Sequence, residues 1–364
     1  MKKFTAILVS AMTVMALVAG CGSKPAETTA AAAPAAPAET TAAAAAAEPA
    51  AAPAADAQVI KMAHTGSENT LMHKSFLVAK DYIEEKSNGA LKVEIYPNGQ
   101  LGAEADLLQA TQSGDIQMMA TNNGYLVTLN PALEVFSVPF AFPSEDIAYK
   151  VLDTEFGQRM LDSMESTCGL KGLAYYESSD FRELTCKYPI ESIDDLKGLK
   201  IRVMPNNIHV QIWESLGASP ATISFGELYT ALQQGTVDAQ ENPVELMLQS
   251  KFTEVQSYLI RTNHIFSNGM MVCNPAWYSK LSPELQQVVK EGAEAGQNYW
   301  RDEAIKNRTE YYKQAEEAGM TVIELDDATK AAMKEKVQPV VDVIAGNVGQ
   351  DVVDELFKAV EENS

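Results

Sequence analysis

Hydrophobic positions along residues 58–240 change period in a regular order, and they do so twice. Residues 59–63 and 91–96 alternate as strands, and residues 116–120 read as a third. Between them, apolar positions Phe76, Leu77, Ala79 and Ile83 return at helical spacing over residues 70–86, which stop at Asn88-Gly89. A second helix over 103–112 ends near Gly114. The same series then recurs: a strand at 199–203, a helix at 208–216 closed by Gly217, a short strand at 221–223, a helix after Ser224, and a strand at 237–239. Ser224 and Glu227 form a capping-box pattern ahead of Leu228, Ala231 and Leu232. Leu107, Ala110, Gln112, Gly114 and Ile116 match Leu228, Ala231, Gln233, Gly235 and Val237 at one constant offset. Repeated β-α-β-α-β units predict an α/β protein with two parallel- or mixed-sheet lobes, each turning its strand ends to one side.

The last third reads as helix. Ser282-Pro283-Glu284 is a capped start, and the pattern runs to Ala318 with Gly319 as the stop. About 35 residues at helical rise span roughly 50 Å, longer than one small lobe, so this helix is expected to lie across both. Residues 320–325 read as a strand. Residues 326–362 read as helix with a kink at Pro339.

Two lobes with facing strand ends make a cleft, and ligands of open α/β sheets collect at such ends. Four segments should meet there: 64–69, 121–125, 202–207 and 240–243. They carry His64, Glu68, Asn69, Asn122, Asn123, Arg202, Asn206, Glu241 and Asn242. Each alone is an ordinary turn or cap residue; their joint placement suggests a polar ligand. Arg202 stands out. In Leu199-Lys200-Ile201-Arg202-Val203 the residues Leu199, Ile201 and Val203 mark one buried face, and Arg202 falls on the other phase near the carboxyl end. A fixed guanidinium there suits a carboxylate.

Composition narrows the setting. Lys2 and Lys3 precede an apolar run ending in Leu17-Val18-Ala19-Gly20-Cys21, the pattern of a secretory signal peptide with a lipobox, so Cys21 is expected to carry lipid. Residues 22–57 are almost all Ala, Pro, Thr and acids, which cannot build a core and read as a tether of roughly 30–35 Å. The formal charge is −21, and argues against nucleic acid and anionic headgroups. Cys168, Cys186 and Cys273 fit no metal motif, and no cofactor, metal or disulfide is assigned. His64, His73, His209 and His264 show no triad or metal spacing, which argues against a secreted enzyme.

The chain resembles the solute-binding subunits of TRAP transporters, the DctP-type extracytoplasmic receptors. The matching stretches are Tyr96-Pro97-Asn98-Gly99-Gln100-Leu101-Gly102, Val138-Pro139-Phe140, residues 195–203, Leu216-Gly217-Ala218-Ser219-Pro220 and residues 229–243, the last ending Asp238-Ala239-Gln240-Glu241-Asn242-Pro243. Ala239 stands where the family often has Gly. The resemblance covers residues 59–360 and implies a bilobal, periplasmic-binding-protein-like fold and a monomer. It also implies closure on an organic acid and delivery to TRAP membrane subunits, from an extracytoplasmic, lipid-anchored position. It implies that Arg202 clamps the ligand carboxylate, that Arg182 assists, that Asn242 binds beside it, and that Phe225 forms an aromatic wall. In the first lobe the variable positions hold His64, Thr65, Glu68, Asn122 and Tyr125. The expected division is 58–180 with about 268–307 for lobe I, and 181–267 with about 308–364 for lobe II.

Because those first-lobe positions offer no arginine or lysine, a sugar acid such as a hexuronate is expected over a C4-dicarboxylate. An ABC-type receptor is the more distant alternative, disfavoured by the long helix and the Arg202 stretch.

Overall fold

A computed structural model describes residues 57–176 and 180–364. The expected signal peptide, Cys21 and nearly all of the expected tether lie outside these residues.

The repeat is real in three dimensions. In the first half, β1 (Gln58–Ala63) lies between β2 (Leu91–Tyr96) and β3 (Met118–Asn122), parallel to both. The chain continues through β4 (Lys171–Tyr176) and β5 (Phe181–Cys186). In the second half, β6 (Lys200–Val203) lies between β7 (Ser219–Thr222) and β8 (Ala239–Asn242), again parallel to both. Later come β9 (Tyr258–Phe266), β10 (Gly269–Cys273) and β11 (Thr321–Glu324). Matching helices Glu104–Ser113 and Phe225–Gln234 each end on a glycine with positive φ, Gly114 and Gly235.

The sheets are mixed, within the parallel or mixed arrangement expected. The first runs β2-β1-β3-β10-β4 and the second β11-β9-β5-β8-β6-β7. β10 is antiparallel to β3 and β4, and β5 is antiparallel to β8 and β9. These additional strands carry the chain between the halves, from β4 to β5 and back from β9 to β10. β5 and β10 are buried at every position, so no alternation reveals them. The third strands of the repeats also start two residues later than periodicity suggests. Ile116 is buried, but its N–H bonds Ala110 O at 3.1 Å, so it closes the helix turn before the ladder begins.

The helix Pro283–Glu317 spans both halves as expected. Ser282 accepts a bond from Leu285 N (3.3 Å) at its start. Its first part packs on helix Leu71–Lys86, its second on helix Val244–Gln249 and β11. Gly292 and Gly296 permit the first contact: a Cβ would come within 2.5 Å of Ile83 Cγ1 at Gly292, and within 2.7 Å of Ser75 O at Gly296. Gly292 facing Ile83 and Gly296 facing Ser75 mean the two helices run antiparallel, which sets Trp300 beside the start of helix Leu71–Lys86.

The tail is three helices, Asp327–Lys336, Gln338–Val348 and Gln350–Glu362. One break falls at Val337, ahead of Pro339 in the first turn of the next helix. The other falls at Gly349, whose φ of 99° sequence periodicity does not signal. The middle helix packs on the turn Pro131–Ser137 and on helix Asn207–Ser215; the last packs on helices Glu145–Leu152 and Glu155–Cys168. This tail therefore covers both halves rather than one. A single apolar cluster runs with it from Leu133, Phe136 and Phe156 to Ile201, Ile212 and Leu356.

Candidate ligand-binding site

All four expected segments reach one cleft of about 660 Å³, part of it open to solvent. After β1 come Thr65 and Gly66, and the end of β3 brings Asn122 and Tyr125. From the second half, β6 brings Arg202 and Met204, and the end of β8 brings Asn242 and Pro243. Arg182 on β5 and Phe225, at the start of its helix, also line it.

The two arginines differ. Arg182 is 2 % exposed and is held by Glu241: its Nε bonds Glu241 Oε2, and its Nη2 lies 2.9 Å from Oε1 and 2.6 Å from the backbone O. Nη2 also donates to Asn242 Oδ1 (2.9 Å), while Nη1 reaches only Ser267 Oγ at 3.5 Å. Burial alone would raise the Glu241 carboxyl, but Arg182, His209 and His264 outweigh it and hold it well below the usual range. Arg202 is 1 % exposed, donates Nε to Ile223 O at 2.8 Å and is hydrogen-bonded to Tyr125. Among the described residues no carboxylate lies within ion-pair distance of it. Burial pulls its guanidinium down to about 10, so it keeps its charge at neutral pH.

The facing wall holds acceptors. Asn122 Oδ1 accepts from Gly124 N (2.9 Å) and its Nδ2 donates to Ser267 Oγ (3.2 Å). Thr65 Oγ1 donates to Glu104 Oε2 at 2.7 Å, and the buried Glu104 lines the cleft. Burial raises the Glu104 carboxyl, and hydrogen bonds from Thr121 and Thr65 oppose that.

Six of the residues expected at the cleft do not line it: His64, Glu68, Asn69, Asn123, Asn206 and Glu241. His64 is fully buried behind β1. Its Nε2 lies 3.1 Å from His73 Nδ1, its ring meets Phe76 edge-on at 4.7 Å, and burial together with His73 pushes it down to about 3. Glu68 is exposed, as is Asn69, on the turn that follows. The carboxylate expected at Glu68 is supplied by Glu104. A signal for it existed: the offset that places Leu107 on Leu228 places Glu104 on Phe225, the same helix start in the other half. Thr70, Met72, Glu245, Leu246, Ser267 and Trp300 also line the cleft. They come from helices and a turn without strand-end cues, and no pattern marks them.

The halves touch across the cleft. Asn206 Nδ2 donates to Gly124 O (3.2 Å), and Leu71 N donates to Glu245 Oε1 (3.2 Å) and Gln249 Oε1 (3.1 Å). Among the described residues no group of three or more His, Cys, Asp or Glu is placed to hold a metal ion, and no helix is long and apolar enough to cross a membrane.

Two α/β halves, joined by crossing strands and enclosing a cleft at their strand ends, define a bilobal binding protein. The chain matches the bacterial extracellular solute-binding proteins, family 7, over residues 62–347, and it belongs to that family, the receptors of TRAP transporters. It is 32 % identical over 308 residues to the 2,3-diketo-L-gulonate-binding periplasmic protein YiaO of Escherichia coli, covering 84 % of this chain and 92 % of that one. The sugar acid binding protein DctPAm of Advenella mimigardefordensis, solved with galactonate, is 30 % identical with a TM-score of 0.81, covering 85 % of this chain and 99 % of that one. A TRAP periplasmic solute-binding protein of Shewanella oneidensis with bound succinate is 28 % identical with a TM-score of 0.80, covering 84 % and 99 %.

Proposed function

We propose that this receptor binds a sugar acid, a hexuronate or hexonate, by closing its halves on it, with Arg202 gripping the single carboxylate. The observation that carries this reading is the charge balance of the cleft. Arg182 is neutralised by Glu241, and Arg202 is left as the cation without an acidic partner. One guanidinium without an acidic partner suits one carboxylate, while the carboxyls of Glu104 and Glu245 line the same cleft. Opposite it, Thr65, Glu104 and Asn122 accept and donate hydrogen bonds as ligand hydroxyls require, and among the described residues no Lys or Arg stands there for a second carboxylate. Charge-assisted bonds to a buried carboxylate contribute about 1.5–3 kcal/mol each. Asn242 orients Arg182, and Phe225 supplies an apolar wall for the ligand carbons. The relatives named for 2,3-diketo-L-gulonate and solved with galactonate agree with this choice.

A ligand that touches both halves favours the closed state by its differential affinity. Delivery to TRAP membrane subunits follows, with the receptor held at the outer face of the cytoplasmic membrane by lipid on Cys21; a lipid mass on the N-terminal peptide from the native host tests the anchor.

A thermal-shift screen against galacturonate, glucuronate, galactonate, malate, succinate and fumarate tests the ligand class. Stabilisation by the first three supports the reading. Stabilisation by the dicarboxylates alone overturns it in favour of a C4-dicarboxylate receptor, a reading that the succinate-bound relative supports.

A further inference from the structure

A second acidic side chain, Glu245, stands in the cleft wall, and the clamp described above does not use it. It is 3 % exposed, three residues beyond Asn242, on helix Val244–Gln249 of the second half. Its Oε1 accepts the N–H of Leu71, the first residue of helix Leu71–Lys86 in the other half; Gln249 Oε1 accepts the same N–H. Thr70 Oγ1, the cap of that helix, accepts from His73 N at 3.3 Å and donates to Ser67 O at 2.6 Å, which leaves Leu71 N to the other half. Glu245 is thus pinned across the cleft by an amide, not by a cation. Among the described residues it makes no ion pair. The groups that face it are Gln249 on its own helix, Lys74 on helix Leu71–Lys86 and Tyr311 on the long helix.

We propose that Glu245 sets the specificity of the cleft for ligands that present a hydroxyl, and not a second carboxylate, to the wall formed by helices Leu71–Lys86 and Val244–Gln249. This deepens the sugar-acid reading and rests on it. The reasoning is electrostatic. A carboxylate oxygen bonded to one amide N–H keeps acceptor capacity, so a ligand O–H donates to it. A ligand carboxylate in the same place would put two anions together while Arg202 is taken up by the first carboxylate and Lys74 alone faces Glu245 from helix Leu71–Lys86, a like-charge contact that costs several kcal/mol. Met72 and Leu246, which line the same cleft, are apolar toward a carbon chain and shield that repulsion poorly. Burial pushes the Glu245 carboxyl up to about 7, so discrimination is read at pH 8, where it is ionised.

Calorimetry with two pairs of acids tests this: galactonate against galactarate, and 4-hydroxybutanoate against succinate. Within each pair the carbon chain is the same, and a terminal hydroxyl group is exchanged for a carboxylate. The wild type is expected to prefer the monoacid about tenfold or more, and Glu245→Gln to narrow that preference about tenfold, mostly by tighter diacid binding. The Gln side chain keeps an acceptor for Leu71 N, so ligand-free Glu245→Gln should melt within a few degrees of wild type. A preference unchanged in Glu245→Gln overturns the proposal, as does a wild type that prefers the diacid of both pairs or binds none of the four. Failure of the six-carbon acids alone sinks the sugar-acid reading, while the four-carbon pair still reports on Glu245.

Discussion

Arg182 and Glu241 are paired inside the second sheet, on adjacent antiparallel strands, with side chains 2 % and 0 % exposed. His264 Nε2 at 3.2 Å and His209 Nδ1 at 3.6 Å complete the surroundings of the carboxylate. The pair separates two arginines that look alike in sequence: one is bound up in the fold, the other is left to the cleft.

Removing one partner of the buried pair leaves the other charge without compensation. Glu241→Gln and Arg182→Ala should each lower unfolding stability by about 3–5 kcal/mol. Urea unfolding of ligand-free protein is the measurement. A loss below 1 kcal/mol in both would show that the pair does not hold the sheet.

Arg202 should behave in the opposite way. Arg202→Ala should weaken ligand binding by roughly 2–5 kcal/mol, and Arg202→Lys should also lose much of the affinity because an ammonium lacks the planar fork. Arg202→Met removes a buried cation without an acidic partner, so the ligand-free protein should melt at or above the wild-type temperature. Calorimetry and thermal unfolding on the same samples check both halves of this expectation; near-native affinity in Arg202→Ala excludes the clamp.

Gly124 lies where the halves meet, so the proposed closure should be sensitive to it. A Cβ there would lie 2.0 Å from Met204 Sδ and 3.4 Å from Asn206 Nδ2, both on the opposite half. Gly124→Val should prop the halves apart and cost about tenfold or more in affinity, since ligand then binds a less populated closed state. Small-angle scattering should show the wild type contracting with ligand and the variant contracting less. Equal contraction would remove this contact from the closing surface.

Part of the acid–base behaviour follows from Glu183; Glu245, whose carboxyl burial also pushes up to about 7, adds a decline of the same sign. Burial pushes the Glu183 carboxyl up to about 7, against bonds from Asn263 N (2.9 Å) and Tyr312 OH (2.9 Å). A carboxyl raised on folding favours the folded state when protonated. Its contribution is full below about pH 4.5 and is lost as pH rises through 7, by about 3 kcal/mol. Glu241 slopes the other way: its lowered carboxyl stabilises above the unfolded value and fails on acidification. Glu183→Gln should lessen the decline between pH 5 and 8 while leaving the acid limb in place, as urea unfolding across pH would record. An unchanged slope in that window would exclude Glu183 as a source.

The repeat, the helix stops at Gly114 and Gly235, the long capped helix and the placing of Arg202 at a cleft were all legible in the sequence. They rest on local rules: period, capping and positive φ act within a few residues, and a strand's phase tells which face is buried. Past a strand end that phase is lost. His64 and Thr65 are neighbours, yet one is buried against Phe76 and the other lines the cleft. β5 and β10, buried on both faces, gave no alternation to read. Only the tertiary structure decided that Glu241 neutralises Arg182 rather than Arg202, that Glu104 stands in the wall where Glu68 does not, and that Glu245 caps a helix from the other half. Each of these is a meeting of side chains from separate elements, set by how strands and helices pack. Local sequence carries the elements; packing chooses which charges meet.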